Sequence, residues 1–408
     1  MKILLVTDSY PPEIRSASHL MLELAEELRS RGHQITVMTT WPEYNLDQDS
    51  TPRQISELED EAGIQVLRIK TLPHHNVNYL VRGIAQLLMP LQFLWKVRQH
   101  RLQADAVIVY SPPLPLALVG VWLRSKAKFL LNVQDLFPQN AIDLGVLRNP
   151  WQIRFFRWLE GYVYRKADVI TVHSEGNRSS VLQHYPDLSN KLRILHNWVD
   201  IGHHQSATLA VDFRAKWKIT QRYVAVFAGV MGPSQYLERV LEVAELVQKQ
   251  QPDLLFLLVG DGVEKSRLAQ LAAQKNLSNV RFDGFIGRDV YPDLLRICSL
   301  GLVCLSPQNQ TPVVPGKILG YMAAGLPVVA FLQSQSDGHG IVQAAECGVT
   351  ADSADLDACE EAFKKMLRQA ERFEAIGAAG RNYAIQHFSK EACVSAMERM
   401  LTSTQETL

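Results

Sequence analysis

A strand-like run, Phe256-Leu257-Leu258-Val259, leads directly into Gly260-Asp261-Gly262, and a helical pattern follows from about Glu264. Glycines at such a turn let backbone approach a ligand, and the helix start offers free N–H groups to phosphate. A plain tight turn gives the same pattern. The third glycine of a dinucleotide fingerprint is absent, which counts against an NAD-dependent dehydrogenase. Gly229 closes another apolar run, Val226-Phe227-Ala228, at an equivalent place. Phe285, in Asp283-Gly284-Phe285, could stack on a base or fill a core. The most informative run is Thr311 to Ala330. Pro315 and Gly316 suit a helix start and Gly325 its end, with Tyr321 between them. Lys317 falls in the first turn, where the helix dipole disfavours a cation. An anion bound at that helix start would account for it; a solvated lysine is the alternative.

In the first half, the loop Asp8 to Ser16 follows the opening strand and carries Arg15 and Ser16. Asp135, in Asn132-Val133-Gln134-Asp135, follows another strand. It is a candidate catalytic or acceptor-binding carboxylate, or equally a cap. Glu175 is a weaker candidate of the same kind. The histidines show no metal-ligand spacing, and His203-His204 falls in a linker.

The elements that must position these residues alternate. Apolar strand-like runs at 3–6, 35–38, 64–69, 106–109, 128–133 and 168–172 are separated by helix-length amphipathic runs. The rhythm restarts at 223–228 and continues through 254–259, 279–282, 301–304 and 327–331. A helix is expected between each pair, and the tail from Ser353 reads as helix almost throughout. Alternating β and α predicts parallel sheets covered on both faces. The fold class is therefore α/β with two doubly wound domains, divided between Asn197 and Thr220. Ligands of such sheets bind beyond the carboxyl ends of the strands. With two domains the expected site is the cleft between them.

Composition narrows the class. The 408 residues are 47% hydrophobic and 21% charged, which suits two or three globular domains and excludes a disordered chain. Lys+Arg and Asp+Glu are 42 each, so no basic excess points to nucleic acid as a partner. One stretch departs from this balance: Tyr79 to Lys128 holds seven Lys and Arg against a single acid, Asp105. Five cysteines, an odd number without a CxxC, read as reduced buried thiols of a cytoplasmic protein. No signal peptide opens the sequence. The uncharged run Ala106 to Leu123 reaches membrane-span length, but Pro112, Pro113 and Pro115 make it a strand, a turn and a helix.

Taken in order, these runs resemble the retaining glycosyltransferases of family GT4, which have the GT-B fold of two Rossmann-like domains facing across a cleft. The likeness spans nearly the whole chain. It is carried by KILLVTDSYPPE, RGHQITVMTT, RKADVITVHSEGN, LHNWVD, FAGVMG, LLVGDGVEKSRL and the run Pro315 to Ala330. QDLFP and VPGKILGYMAAGLPVVA are most similar to the O-antigen and capsule branch that includes N-acetylfucosaminyl transferases. The resemblance implies an N-terminal acceptor domain over 1–200 and a C-terminal nucleotide-sugar domain over 201–385. A last helix, 386–408, would return to the first domain. It implies a nucleotide-sugar donor, UDP-linked by preference, held by Gly229, Gly260, Asp261, Gly262, Phe285, Pro315, Gly316 and Tyr321. The acceptor, a glycan or a polyprenyl-diphosphate-linked sugar, would sit mainly on the N-terminal domain. Arg15 and Ser16, in the first loop where the family usually has a glycine pair, are substrate-binding candidates, with Asp135 and Lys317 as the catalytic pair. No metal or other cofactor is implied. The resemblance implies that the anomeric configuration is retained, with the leaving phosphate helping to deprotonate the acceptor hydroxyl.

The sequence also departs from the family. Two glutamates spaced E-x7-E are usual around the donor; here those positions are Pro312 and Gly320. The usual Arg and Lys after the first strand of the second domain are replaced by Gly229-Val230-Met231-Gly232-Pro233-Ser234-Gln235. Lys317, with Lys265 or Arg288, would have to supply the positive charge. A sugar-nucleotide 2-epimerase and a non-catalytic paralogue stay open beside the transferase. Two segments, Tyr79–Arg101 and Trp151–Lys166, join apolar and aromatic residues to Arg and Lys. Such helices can lie peripherally on an anionic inner leaflet, or simply face a core with a solvated basic edge.

Overall fold

The computed structural model describes residues 1–13, 15–43, 55–74, 77–143, 145–202, 210–308 and 312–402. Met1–Asn197 with Lys390–Leu408 forms one compact unit, and Trp198–Ser389 forms the other. The first is built on strands β1 (Lys2–Val6), β2 (Gln34–Thr40), β3 (Leu58–Glu61), β4 (Ile64–Ile69), β5 (Ala106–Ser111), β6 (Lys128–Val133), β7 (Val169–Val172) and β8 (Leu192–Ile194). Their order is β3-β4-β2-β1-β5-β6-β7-β8. Every pairing is parallel except β3 with β4. The intervening helices are α1 (Ser16–Ser30), α2 (Tyr79–Gln99), α3 (Leu118–Leu123), α4 (Gln139–Asp143), α5 (Pro150–Lys166) and α6 (Glu175–His184).

β5 is buried from end to end, as is β1 from Ile3 to Val6. A strand covered on both faces reads as an unbroken apolar run rather than an alternating one, which is why these strands stand out in the sequence. α1 instead buries one stripe, Met21, Leu24, Ala25 and Leu28. The described part of the segment between β2 and β4 is not helical. It holds β3, whose acidic sequence Leu58-Glu59-Asp60-Glu61 lies antiparallel on β4. Buried Arg68 of β4 anchors it through Glu61, 2.7 Å away.

The second unit has six parallel strands among the described residues. They are β9 (Tyr223–Ala228), β10 (Leu254–Val259), β11 (Val280–Asp283), β12 (Leu300–Cys304), β13 (Val328–Leu332) and β14 (Gly348–Asp352). Their order is β11-β10-β9-β12-β13-β14. Its helices are α7 (Phe213–Trp217), α8 (Leu237–Val247), α9 (Lys265–Gln274), α10 (Tyr291–Arg296), α11 (Gly316–Ala324), α12 (Gly338–Ala344), α13 (Leu356–Leu367) and α14 (Phe373–His387). The last helix, α15 (Lys390–Thr402), belongs to the first unit. There Glu398 accepts from Arg31 at 3.1 Å and pairs with His33 at 2.7 Å, and these bonds hold its carboxyl below the ordinary range. The five cysteines are buried free thiols. Among the described residues no helix is long and apolar enough to cross a membrane.

Candidate active site

The strand order of the second unit reverses between β9 and β12, and ligands of doubly wound sheets bind beyond the carboxyl ends at such a reversal. α11 starts there. Its N-cap is Pro315, which provides no side-chain cap, so the first N–H groups of the helix lack that partner. Lys317 reaches from the first turn of α11 over the end of β9. Its Nζ donates to Gln235 Oε1 at 2.8 Å and stands 4.8 Å from the centroid of the Phe227 ring. Burial pushes its pKa down to about 8. No carboxylate lies within ion-pair distance among the described residues. Gly229, at φ +147°, makes this placement possible, because a Cβ there would stand 2.8 Å from Lys317 Cε. A partly desolvated cation with no carboxylate in reach among the described residues, beside an uncapped helix start, suits an anion.

Tyr321 lies one turn deeper on the same face of α11. It is fully buried; its hydroxyl donates to Val226 O at 3.1 Å and accepts from Ala228 N at 3.2 Å. Its expected ligand contact is therefore corrected: it is a post that ties α11 to β9. Gly260 and Gly262 have a packing reason of their own. A Cβ on Gly260 would collide with Gly229 O, and one on Gly262 with Met231 O. The two loops are laced by Gly229 N–H to Val259 O at 2.9 Å and Met231 N–H to Asp261 O at 2.8 Å. The neighbouring loop is thus enough to require glycine at both positions. Asp261 accepts from the N–H of Gly262, and Lys265 Nζ donates to Gly260 O at 2.9 Å, which turns that cation into its own loop. Phe285 is 67% exposed, so it does not fill the core. Gly316 is exposed at the start of α11, and a Cβ at Gly320 would have open space around it. The side chain of Arg288, and His203-His204, lie outside the described residues.

In the first unit the order reverses between β1 and β5. After β1, Asp8, Ser9 and Glu13 are buried together, and Ser9 Oγ donates to Glu13 Oε2 at 3.0 Å. Arg15 spans the two acids, 3.4 Å from Asp8 and 3.9 Å from Glu13. Burial pushes the Glu13 carboxyl up, against the bond from Ser9. Ser16 is exposed at the first position of α1. Tyr110, at the end of β5, is raised by burial and then by the charges of Asp135 and Asp8. The carboxylate cluster around Arg15 escaped the sequence reading because its members are single residues of an irregular loop.

Asp135 follows β6 at the rim of a cavity of about 720 Å³ between the first turns of α2 and α5. Ile84, Leu87, Pro113, Phe137, Trp151 and Phe155 give this cavity its apolar walls. Solvent reaches Asp135, but the surrounding apolar atoms strip its hydration and push its carboxyl up. Glu175 instead opens α6 and pairs with Arg178 at 3.0 Å.

Residues 17–198 match the glycosyl transferase 4-like domain, and residues 211–383 match the glycosyl transferases group 1 family. The putative colanic acid biosynthesis glycosyl transferase WcaI of Escherichia coli is 24% identical over 346 residues, covering 80% of this chain and 82% of the relative. The probable glycosyltransferase WbjE of Pseudomonas aeruginosa is 25% identical over 275 residues, covering 65% and 67%. Among solved structures, Anabaena Alr3699/HepE in complex with UDP superposes with a TM-score of 0.70 at 16% identity, covering 99% of this chain and 100% of that one.

Proposed function

We propose that this chain, which belongs to the family 4 glycosyltransferases of GT-B fold, uses a nucleotide-diphosphate sugar, UDP-linked by preference. The sugar goes with retention to a glycan or polyprenyl-diphosphate-linked acceptor in surface polysaccharide synthesis. The observation that carries the reading is Lys317, a half-buried cation with no carboxylate in reach among the described residues, at the uncapped start of α11. In the reaction the acceptor oxygen bonds to the anomeric carbon as the bond from that carbon to the diphosphate breaks. The hydroxyl proton passes to the leaving phosphate oxygen. Lys317 and the α11 N–H groups take up the charge that develops there, so the reading needs no metal. Exposed Phe285 offers a face for the base.

Asp135 orients the acceptor, and the adjoining apolar cavity takes the hydrocarbon of a lipid-linked one. The names of WcaI and of HepE with UDP support the polysaccharide role and the uridine preference. QDLFP and the α11 run favour the branch with N-acetylfucosaminyl transferases. Pro312 and Gly320, where glutamates are usual, keep a chain that binds without turnover as a second reading. Calorimetric titration with UDP, GDP, ADP and their monophosphates tests the site. Base-selective binding that needs the second phosphate supports it, and no binding to any of them refutes it. Product analysis with a UDP-sugar alone exposes an isomerase.

A further inference from the structure

The outer face of α2 exposes Val81, Ile84, Leu88, Leu91 and Trp95, spaced 3 or 4 residues apart along one stripe. α5 exposes Trp151, Phe155, Trp158 and Tyr162 in the same way. The exposures are large: 63% for Leu91, 62% for Trp95, 80% for Trp151 and 61% for Trp158. Neither helix needs this stripe for the core. α2 already buries Ala85, Met89, Phe93 and Val97, and α5 buries Leu159, Val163 and Tyr164. Contiguous apolar stripes of this size mark an interaction surface. The last helix does not cover them, since α15 is fixed to Arg31 and His33.

Charge identifies the occupant. No exposed residue of either helix is acidic, and the one carboxylate of α5, Glu160, is buried. Arg82, Arg98, Arg101, Lys126, Arg154 and Lys166 border the stripes without a carboxylate partner among the described residues. A second copy of this chain would set one cationic border against another across a two-fold axis, an unfavourable pairing. An anionic partner avoids that. Tryptophans at 95, 122, 151 and 158, each exposed beside Arg or Lys, suit the boundary between headgroups and hydrocarbon. Arg98 already lies over the Trp122 ring, 4.7 Å from its centroid. We infer that the α2–α5 face docks on an anionic lipid bilayer, stripes in the interface and guanidinium groups among the lipid phosphates. This inference goes beyond the transfer reaction and does not rest on it.

The test is vesicle co-sedimentation without donor or acceptor. It compares phosphatidylcholine vesicles with vesicles carrying one third phosphatidylglycerol, at low and high salt. Binding is expected to the anionic vesicles only, and to weaken as salt rises. Arg98→Gln and Arg154→Gln should each weaken it about fivefold, the worth of one cation near such a surface. Leu91→Ser with Trp158→Ser should weaken it at least tenfold at any salt. All four positions are solvent-facing, and circular dichroism with UDP titration should be unchanged. The inference is overturned if anionic vesicles are not bound. It is also overturned if the substitutions leave binding intact, or instead dissociate a dimer seen by light scattering. UDP binding without vesicle binding would sink the docking surface and leave the transfer reading standing.

Discussion

Replacing Lys317 by Met separates a functional lysine from a structural one. In the fold its pKa is about 8 against an ordinary 10.5, with burial as the cause. At 1.36 kcal/mol per unit, keeping the ammonium charged inside the protein costs about 3 kcal/mol. The cost is full below pH 8, declines as pH rises to 10.5, and vanishes above it, because the unfolded chain holds the proton longer. Removing the amine also removes one hydrogen bond to Gln235, worth about 1 kcal/mol. Lys317→Met should therefore stabilise the protein by about 2 kcal/mol at pH 7. Urea unfolding should show the gain shrinking by pH 10. The same change should weaken UDP binding by about 10- to 150-fold, the worth of one charge-assisted hydrogen bond at 1.4 kcal/mol per tenfold, and leave uridine unaffected. In the unsubstituted protein, UDP affinity should hold up to about pH 8 and then fall near tenfold per unit. A variant that is less stable, or that loses UDP and uridine equally, would refute the reasoning and make Lys317 a structural lysine.

Asp135→Asn should lower turnover at least tenfold while calorimetric UDP affinity stays within twofold; unchanged turnover would make Asp135 a bystander at the cavity rim. Gly229→Ala forces a residue into φ +147° and drives a Cβ against Lys317. It should cost about 1–3 kcal/mol in thermal unfolding and depress UDP affinity together with stability. Tyr321→Phe removes both hydrogen bonds to β9 and should lower stability by about 1–3 kcal/mol, with KM for the donor unmoved. A large rise in KM with stability intact would return Tyr321 to the substrate.

Strands buried on both faces were legible because their sequences are apolar without interruption. β10 reads Leu-Leu-Phe-Leu-Leu-Val and matches its observed bounds. β3 was illegible for the opposite reason: three of its four residues are acids held by a partner strand and Arg68, a tertiary cause that no local pattern carries. β8 has three residues, too few for periodicity to show. The helix of Lys317 was found from Pro315 and Gly325, and Gly325 does end it, at φ +72°. What the pattern could not separate were Lys317 and Tyr321, four residues apart and on one face. A single turn, about 5.4 Å, carries the first past the end of β9 and leaves the second in the core. The glycines were ambiguous for a related reason. Gly229 makes room for a cation, whereas Gly260 and Gly262 make room for backbone, and the residue type is the same.

A crystal structure with UDP tests the central claim most directly. The diphosphate should lie at the start of α11, within hydrogen-bond distance of Lys317 Nζ and of the first N–H groups of the helix, with the base near Phe285. A diphosphate bound elsewhere on the second unit, with Lys317 still bonded only to Gln235, would contradict the account.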